Sequence, residues 1–278
     1  MPPIQLATIA TIQSAISSLL LTYEPTFIAF GLNMFKLIAV ILISWKGIEL
    51  MFSQHHVSEH MFAFAEFVMW LSFGYALITY YATPLPGLGL SFSRLITDQA
   101  ANFANILDAR SLEMTFQHLD DLWARFLAPN AWALLPTLLY WLILIVISVA
   151  KGAALLSIAY GMIATAVCAL LGPIFVPFFI VKQLDFLFWN WFRAFIQFAF
   201  IQVVAFAYLM IFERFAFQLL TVMPAGITPE QYLLYGVEVI VLIGTFALGT
   251  LFIPSLTSAI FSGGGSYLST LSPKVMSL

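Results

Sequence analysis

One stretch of the chain has the residue types and the spacing of a metal site. His56, Glu59 and His60 match the pattern H-x-x-E-H, in which two histidines one helical turn apart hold Zn²⁺ while the glutamate activates water. The pattern is only five residues long, and it lies in a short turn between two apolar segments without an obvious third ligand. We therefore interpret it as a solvated turn, and a membrane metallopeptidase is the least favoured alternative.

Other catalytic patterns are missing from the sequence. There is no glycine-rich phosphate loop, nucleophile elbow or Ser/His/Asp arrangement at usable spacing, so we expect neither an enzyme nor a cofactor. The formal net charge of -3 includes no basic patch, which argues against direct sequence-specific nucleic-acid binding. The single cysteine, Cys168, lies in an apolar run and is predicted to be a small core residue.

The elements that must position any site are membrane helices. Hydrophobic residues make up 62% of the 278 residues and charged ones only 8%, a balance that predicts an all-α polytopic membrane protein with five to six transmembrane helices. We divide the chain into an amphipathic N-terminal segment, transmembrane helices 1–2, an extramembrane helical segment, transmembrane helices 3–6 and a flexible tail, with the bounds 1–25, 26–82, 83–130, 131–261 and 262–278.

The number of spans decides which connections share a side of the membrane. A turn at Lys151–Gly152 brings the predicted total to six and places Lys182 on the opposite side from Lys46. Without the long segment between spans 2 and 3, lysines and arginines number three on each side. The positive-inside rule therefore does not decide the orientation.

The junction between two long apolar runs is the least generic part of the sequence. Gly172, Pro173 and Pro177 predict a helix break, because each proline removes an amide donor and disturbs the carbonyl four residues earlier. In hydrocarbon, the freed groups must find partners in neighbouring protein or water. The residues that follow are typical of an interfacial belt of aromatic rings beside a cation, namely Trp189, Trp191 and Arg193.

Two further patterns predict contact surfaces. Small residues recur every fourth position and indicate a close-packing helical face, whose partner is in this chain or in another copy: Ala153, Ser157, Gly161, Thr165 and Ala169. The segment 83–130 contains two amphipathic helices, and Phe116, Leu119 and Trp123 have the spacing of helix-in-groove anchors. We predict that these three residues bind a partner.

The junction has a recognisable order: Gly172-Pro173-Ile174-Phe175, then a Trp/Phe-rich turn at Trp189 to Phe192, then another apolar span. This order resembles the polytopic inner-membrane subunit of type IV secretion systems, the TrbL-like conjugal-transfer family. The resemblance implies a non-catalytic channel or scaffold subunit that forms a homo-oligomer in the bacterial inner membrane. Its implied partners are other secretion subunits, pilus or stalk components and translocated DNA or protein. It also implies that segment 83–130 is periplasmic.

The alternative function is a small-molecule transporter or ion channel. In that interpretation a substrate path is lined by Lys36, Glu66, Glu238 and the Gly-Pro break, as paths are lined by broken helices in many transporters. The chain halves show no convincing repeat, which argues against this alternative.

Overall fold

The computed structural model describes residues 4–52, 57–87, 89–106, 110–129 and 133–261. These residues form eight α-helices and no strand, which confirms the predicted all-α class. The helices are α1 Ile4–Phe52, α2 Val57–Thr79, α3 Phe92–Ile106, α4 Arg110–Ala124, α5 Leu134–Phe175, α6 Asp185–Val222, α7 Tyr232–Leu251 and α8 Ile253–Phe261.

Five segments of the described chain are long and apolar enough to cross a membrane. They are Ile9–Phe52, Met61–Thr79, Leu134–Ile180, Asp185–Val222 and Pro229–Leu251. The amphipathic helices α3 and α4 lie between the second and third of them, as predicted. Helix α1 continues through Pro25, so the predicted boundary at residue 25 does not coincide with a helix end.

The predicted turn at Lys151–Gly152 is wrong, because α5 passes through both residues without interruption. The Lys151 ammonium pairs with Asp120 of α4 and lies 5.6 Å from the centre of the Phe116 ring. Ala150 and Ala153 beside it are buried. A lysine that pairs with a neighbouring helix of the same chain can lie within a continuous helix, and it therefore does not mark the end of a span.

The described chain divides into two compact units. Unit 1 consists of Met1–Ile12, Ala100–Met162 and Gln197–Leu278. Its core joins the apolar face of α4 to the first part of α5, the second part of α6 and α7. The connection after α4 is fixed to the one after α6, because Leu127 donates its amide to Ile227 and the Arg125 guanidinium donates to the Met223 carbonyl.

Unit 2 consists of Gln13–Gln99 and Ile163–Ile196. Its core is built from α1, α2, the last part of α5 and the first part of α6. Between these last two helices, Val176–Ile180 forms a 3-10 helix with Pro177 in its first turn. This unit contains the Gly-Pro junction that the sequence singles out.

Candidate functional site

The junction in unit 2 is built around a carbonyl that a proline leaves unpaired. Pro173 lies inside α5 and has no amide hydrogen to donate to the carbonyl of Ala169, four residues earlier. The Tyr81 hydroxyl, just beyond α2, donates to that carbonyl at 2.6 Å. Burial raises the pKa of the Tyr81 phenol well above its ordinary value, so the hydroxyl keeps the proton that it donates.

Gly172 allows this approach. A Cβ atom at position 172 would collide with the Tyr81 hydroxyl and would lie 2.6 Å from Cζ2 of Trp191. Trp191 in turn donates its indole N–H to the Cys168 carbonyl at 2.9 Å. The Gly-Pro pair therefore forms one unit, in which the proline frees an acceptor and the glycine makes room for its donor.

Pro177 has the same effect one helical turn later. It leaves the Pro173 carbonyl without a helical donor, and this oxygen faces the backbone of α1 at Gly31, where a Cβ atom would collide with it. The α-helix does not end at Gly172, because it continues to Phe175 and then tightens into the 3-10 helix. The two prolines thus bring α1 and α2 close to the end of α5.

The residues of the predicted interfacial belt are helical, and one of them faces the core. Residues 189–192 lie inside α6 rather than in a turn. Trp191 is buried, with its ring stacked on Phe175 at 6.2 Å between centroids, while Trp189 is 50% exposed and Arg193 is exposed. The prediction placed all three at the depth of the lipid headgroups, and sequence does not show which face of α6 is turned inwards.

Beside the junction lies a cavity of about 600 Å³, formed by the end of α1, the first half of α2 and the α5–α6 connection. Its charged lining consists of Lys46, Glu49, Glu66, Lys182 and Asp185. Its aromatic lining consists of Trp45, Phe67, Trp70, Phe179 and Trp189. Because Lys46 and Lys182 line one cavity, the α1–α2 and α5–α6 connections lie on the same side of unit 2, contrary to the six-span prediction.

The cavity charges are unevenly paired. Lys46 and Glu49 form an ion pair at 2.9 Å, with the lysine side chain 24% exposed. None of the ion pairs found in the described part of the chain involves Lys182, Glu66 or Asp185. These side chains are available to a ligand.

The model of the family TrbL/VirB6 plasmid conjugal transfer protein matches residues 39–253, which is more than half of the chain and includes the junction and the cavity. The chain belongs to the TrbL/VirB6 family. It is therefore a multi-pass membrane subunit of a conjugal transfer or type IV secretion system, and the resemblance seen in the sequence is confirmed. The comparison with curated proteins gave no match.

The small-residue face of this TrbL/VirB6 chain packs inside its own units. All five residues are buried: Ala153, Ser157, Gly161, Thr165 and Ala169. A Cβ atom on Gly161 would lie 3.0 Å from the Ile201 side chain of α6. Ser157 donates its hydroxyl at 2.7 Å to the carbonyl of Thr250 in α7, and Pro254, four residues later, has no amide hydrogen to donate to that carbonyl.

The predicted partner-binding anchors are not a free surface. Phe116 is 3% exposed and Leu119 is fully buried, both in the core of unit 1, and the Trp123 ring lies 5.6 Å from that of Tyr140. The prediction treated the two amphipathic helices as standing apart from the spans. Instead, α5, α6 and α7 cover the apolar face of α4.

Two of the remaining candidates lie outside the lining of the cavity. Lys36 and Glu238 are exposed on their helices and do not line the cavity that contains Glu66. His56 lies outside the described residues, as do the side chains of Glu59 and His60, so the zinc pattern stays a prediction. The side chains that the structure describes include no group of three potential metal ligands.

The sequence missed Tyr81, Gly31 and Thr250. The position of each proline identifies the carbonyl that it frees, four residues earlier, and this arithmetic could have pointed to Ala169 and Thr250. It does not identify the donor, because Tyr81 is 88 residues away from Ala169 along the chain.

Proposed function

We propose that this chain is a non-catalytic subunit of the inner-membrane platform of a conjugation apparatus, acting as a homo-oligomer that supports substrate translocation and pilus or stalk assembly. The observation that carries the proposal is the length of its apolar helices. Helix α1 has 49 residues, α5 has 42 and α6 has 38. At 1.5 Å per residue they extend over about 74, 63 and 57 Å.

One bilayer does not cover helices of this length. The hydrocarbon core is about 30 Å thick, and a tilt of about 40° lengthens the path to only about 39 Å. Parts of α1, α5 and α6 therefore project beyond the hydrocarbon. Exposed apolar surface outside lipid is unfavourable in water, and other protein must cover it.

Helix α1 carries this surface over most of its length. Large apolar side chains that are at least half exposed extend from Leu19 to Phe52, including Leu21, Leu37, Ile41 and Met51. Only 17% of its most apolar window is buried within the chain. A second copy is the partner that we propose, since closed homo-oligomers present one surface repeatedly at fixed geometry.

Single cysteines in a Cys168→Ala background test this proposal in membranes. We expect Leu37→Cys or Met51→Cys to form cross-linked dimers and higher species. Ala39→Cys, which is 8% exposed on the same helix, is the matched control and should not cross-link. A monomeric native mass in mild detergent, together with no cross-link at any exposed α1 position, would contradict the homo-oligomer.

We also place segment 83–130 on the periplasmic side, following the family resemblance. Five spans put this segment opposite to the α1–α2 and α5–α6 connections. Its partners would then be the stalk or pilus components that assemble across the envelope. Labelling of intact cells with a membrane-impermeant maleimide tests this periplasmic location.

A further inference from the structure

The cavity in unit 2 has the composition and the position of a lipid headgroup site. The connection between the candidate spans Leu134–Ile180 and Asp185–Val222 forms one of its walls. Three tryptophans line it, Trp45, Trp70 and Trp189, and tryptophan prefers the depth of the headgroups. Its remaining apolar wall includes Leu42 and Ile180, which suit the first carbons of acyl chains.

The charges select among headgroups. Two lysines and three carboxylates line the cavity, so an anionic lipid would meet more negative than positive charge. Because Lys46 is engaged by Glu49 at 2.9 Å, Lys182 is the cation available to a phosphate. Glu66 and Asp185 are acceptors for a cationic group. A zwitterionic headgroup matches both signs at once.

The ammonium must carry hydrogens. A primary ammonium donates charge-assisted hydrogen bonds to carboxylates, whereas a trimethylammonium group has no N–H to donate and pairs with Glu66 and Asp185 only through its charge. We infer that this cavity binds the headgroup of an aminophospholipid of the phosphatidylethanolamine type. This inference is independent of whether the chain forms the proposed homo-oligomer.

The test is lipid exchange on the full chain in mild detergent, followed by native mass spectrometry with phosphatidylethanolamine, phosphatidylglycerol and phosphatidylcholine. We expect phosphatidylethanolamine to be retained about tenfold more strongly than the other two, the effect of about one charge-assisted hydrogen bond. Lys182→Ala and Glu66→Gln should each abolish this preference. The controls are Lys36→Ala and Glu238→Gln, which remove exposed charges that do not line the cavity.

Equal retention of the three lipids, or a preference for phosphatidylglycerol, would overturn the inference. Soluble glycerophosphoethanolamine tests whether the ligand is a membrane lipid or a free phosphate ester. If this soluble compound binds as tightly as phosphatidylethanolamine, the inference of a membrane lipid is also overturned. A photoreactive residue at position 67 adds a readout in native membranes. A protein adduct there, instead of a lipid adduct, would identify a partner helix as the occupant. Elution profile and thermal melting establish that each variant is folded.

Discussion

The Tyr81 hydroxyl donates a hydrogen bond at 2.6 Å to the carbonyl of Ala169, an acceptor that Pro173 leaves without its helical donor. Ser157 makes the same kind of bond to Thr250, four residues before Pro254. In both cases a side-chain hydroxyl distant in sequence donates to the carbonyl that the proline cannot serve. The prolines therefore connect segments that are distant in sequence, because each frees an acceptor for a side-chain donor from elsewhere in the fold.

Tyr81→Phe should destabilise the protein while leaving its packing volume almost unchanged. The substitution leaves the Ala169 carbonyl buried without a donor, which costs about 1–3 kcal/mol. Denaturant unfolding in detergent measures the loss. Tyr75→Phe is the matched control, since Tyr75 lies in α2, shortly before Tyr81 in the chain, and is 49% exposed. Equal stability of the two variants would show that water replaces the Tyr81 hydroxyl.

Ser157→Ala should produce a smaller loss in unit 1, about 1 kcal/mol, because the bond from Ser157 to the buried Thr250 carbonyl is lost while the Phe252 amide still contacts that oxygen. The control is Ser148→Ala on the same helix, because the Ser148 hydroxyl is exposed and bonds only to its own helix at Leu144. Thermal melting of both variants in detergent checks the prediction. An unchanged melting temperature for Ser157→Ala would contradict it.

Gly172→Ala should be strongly unfavourable, although alanine is a better helix former than glycine. The added Cβ atom would collide with the Tyr81 hydroxyl and the Trp191 ring, and we expect a cost of about 1–3 kcal/mol. Gly152→Ala, in open space on the same helix, should instead stabilise the protein by about 1 kcal/mol. Adding Tyr81→Phe to Gly172→Ala should recover part of the loss, and the double-mutant cycle measures this coupling.

Cysteine labelling decides between five and six spans. In a Cys168→Ala background, Glu49→Cys and Gln183→Cys should react from the same side of the membrane, whereas Gln117→Cys should react from the other. All three positions are exposed. Gln183→Cys reacting from the same side as Gln117→Cys would restore the six-span arrangement and would contradict the continuous helix α5.

The sequence alone determined the properties that depend on composition and local pattern. A hydrophobic content of 62% requires lipid-facing helices, so the all-α membrane class followed directly. The amphipathic helices α3 and α4 followed from their apolar stripes, and the family resemblance followed from the Gly-Pro motif and the layout of the spans. These features do not depend on which helices meet.

The tertiary structure decided whatever depends on a partner distant in sequence. Lys151 does not end a span, because Asp120 and Phe116 receive its ammonium inside unit 1. Phe116 and Leu119 are core residues because α5, α6 and α7 cover them, and Trp191 is buried because of how α6 is rotated. An apolar residue in a membrane protein suits both lipid and core, so hydrophobicity cannot distinguish the two environments. Only the three-dimensional contacts of each helix face do so.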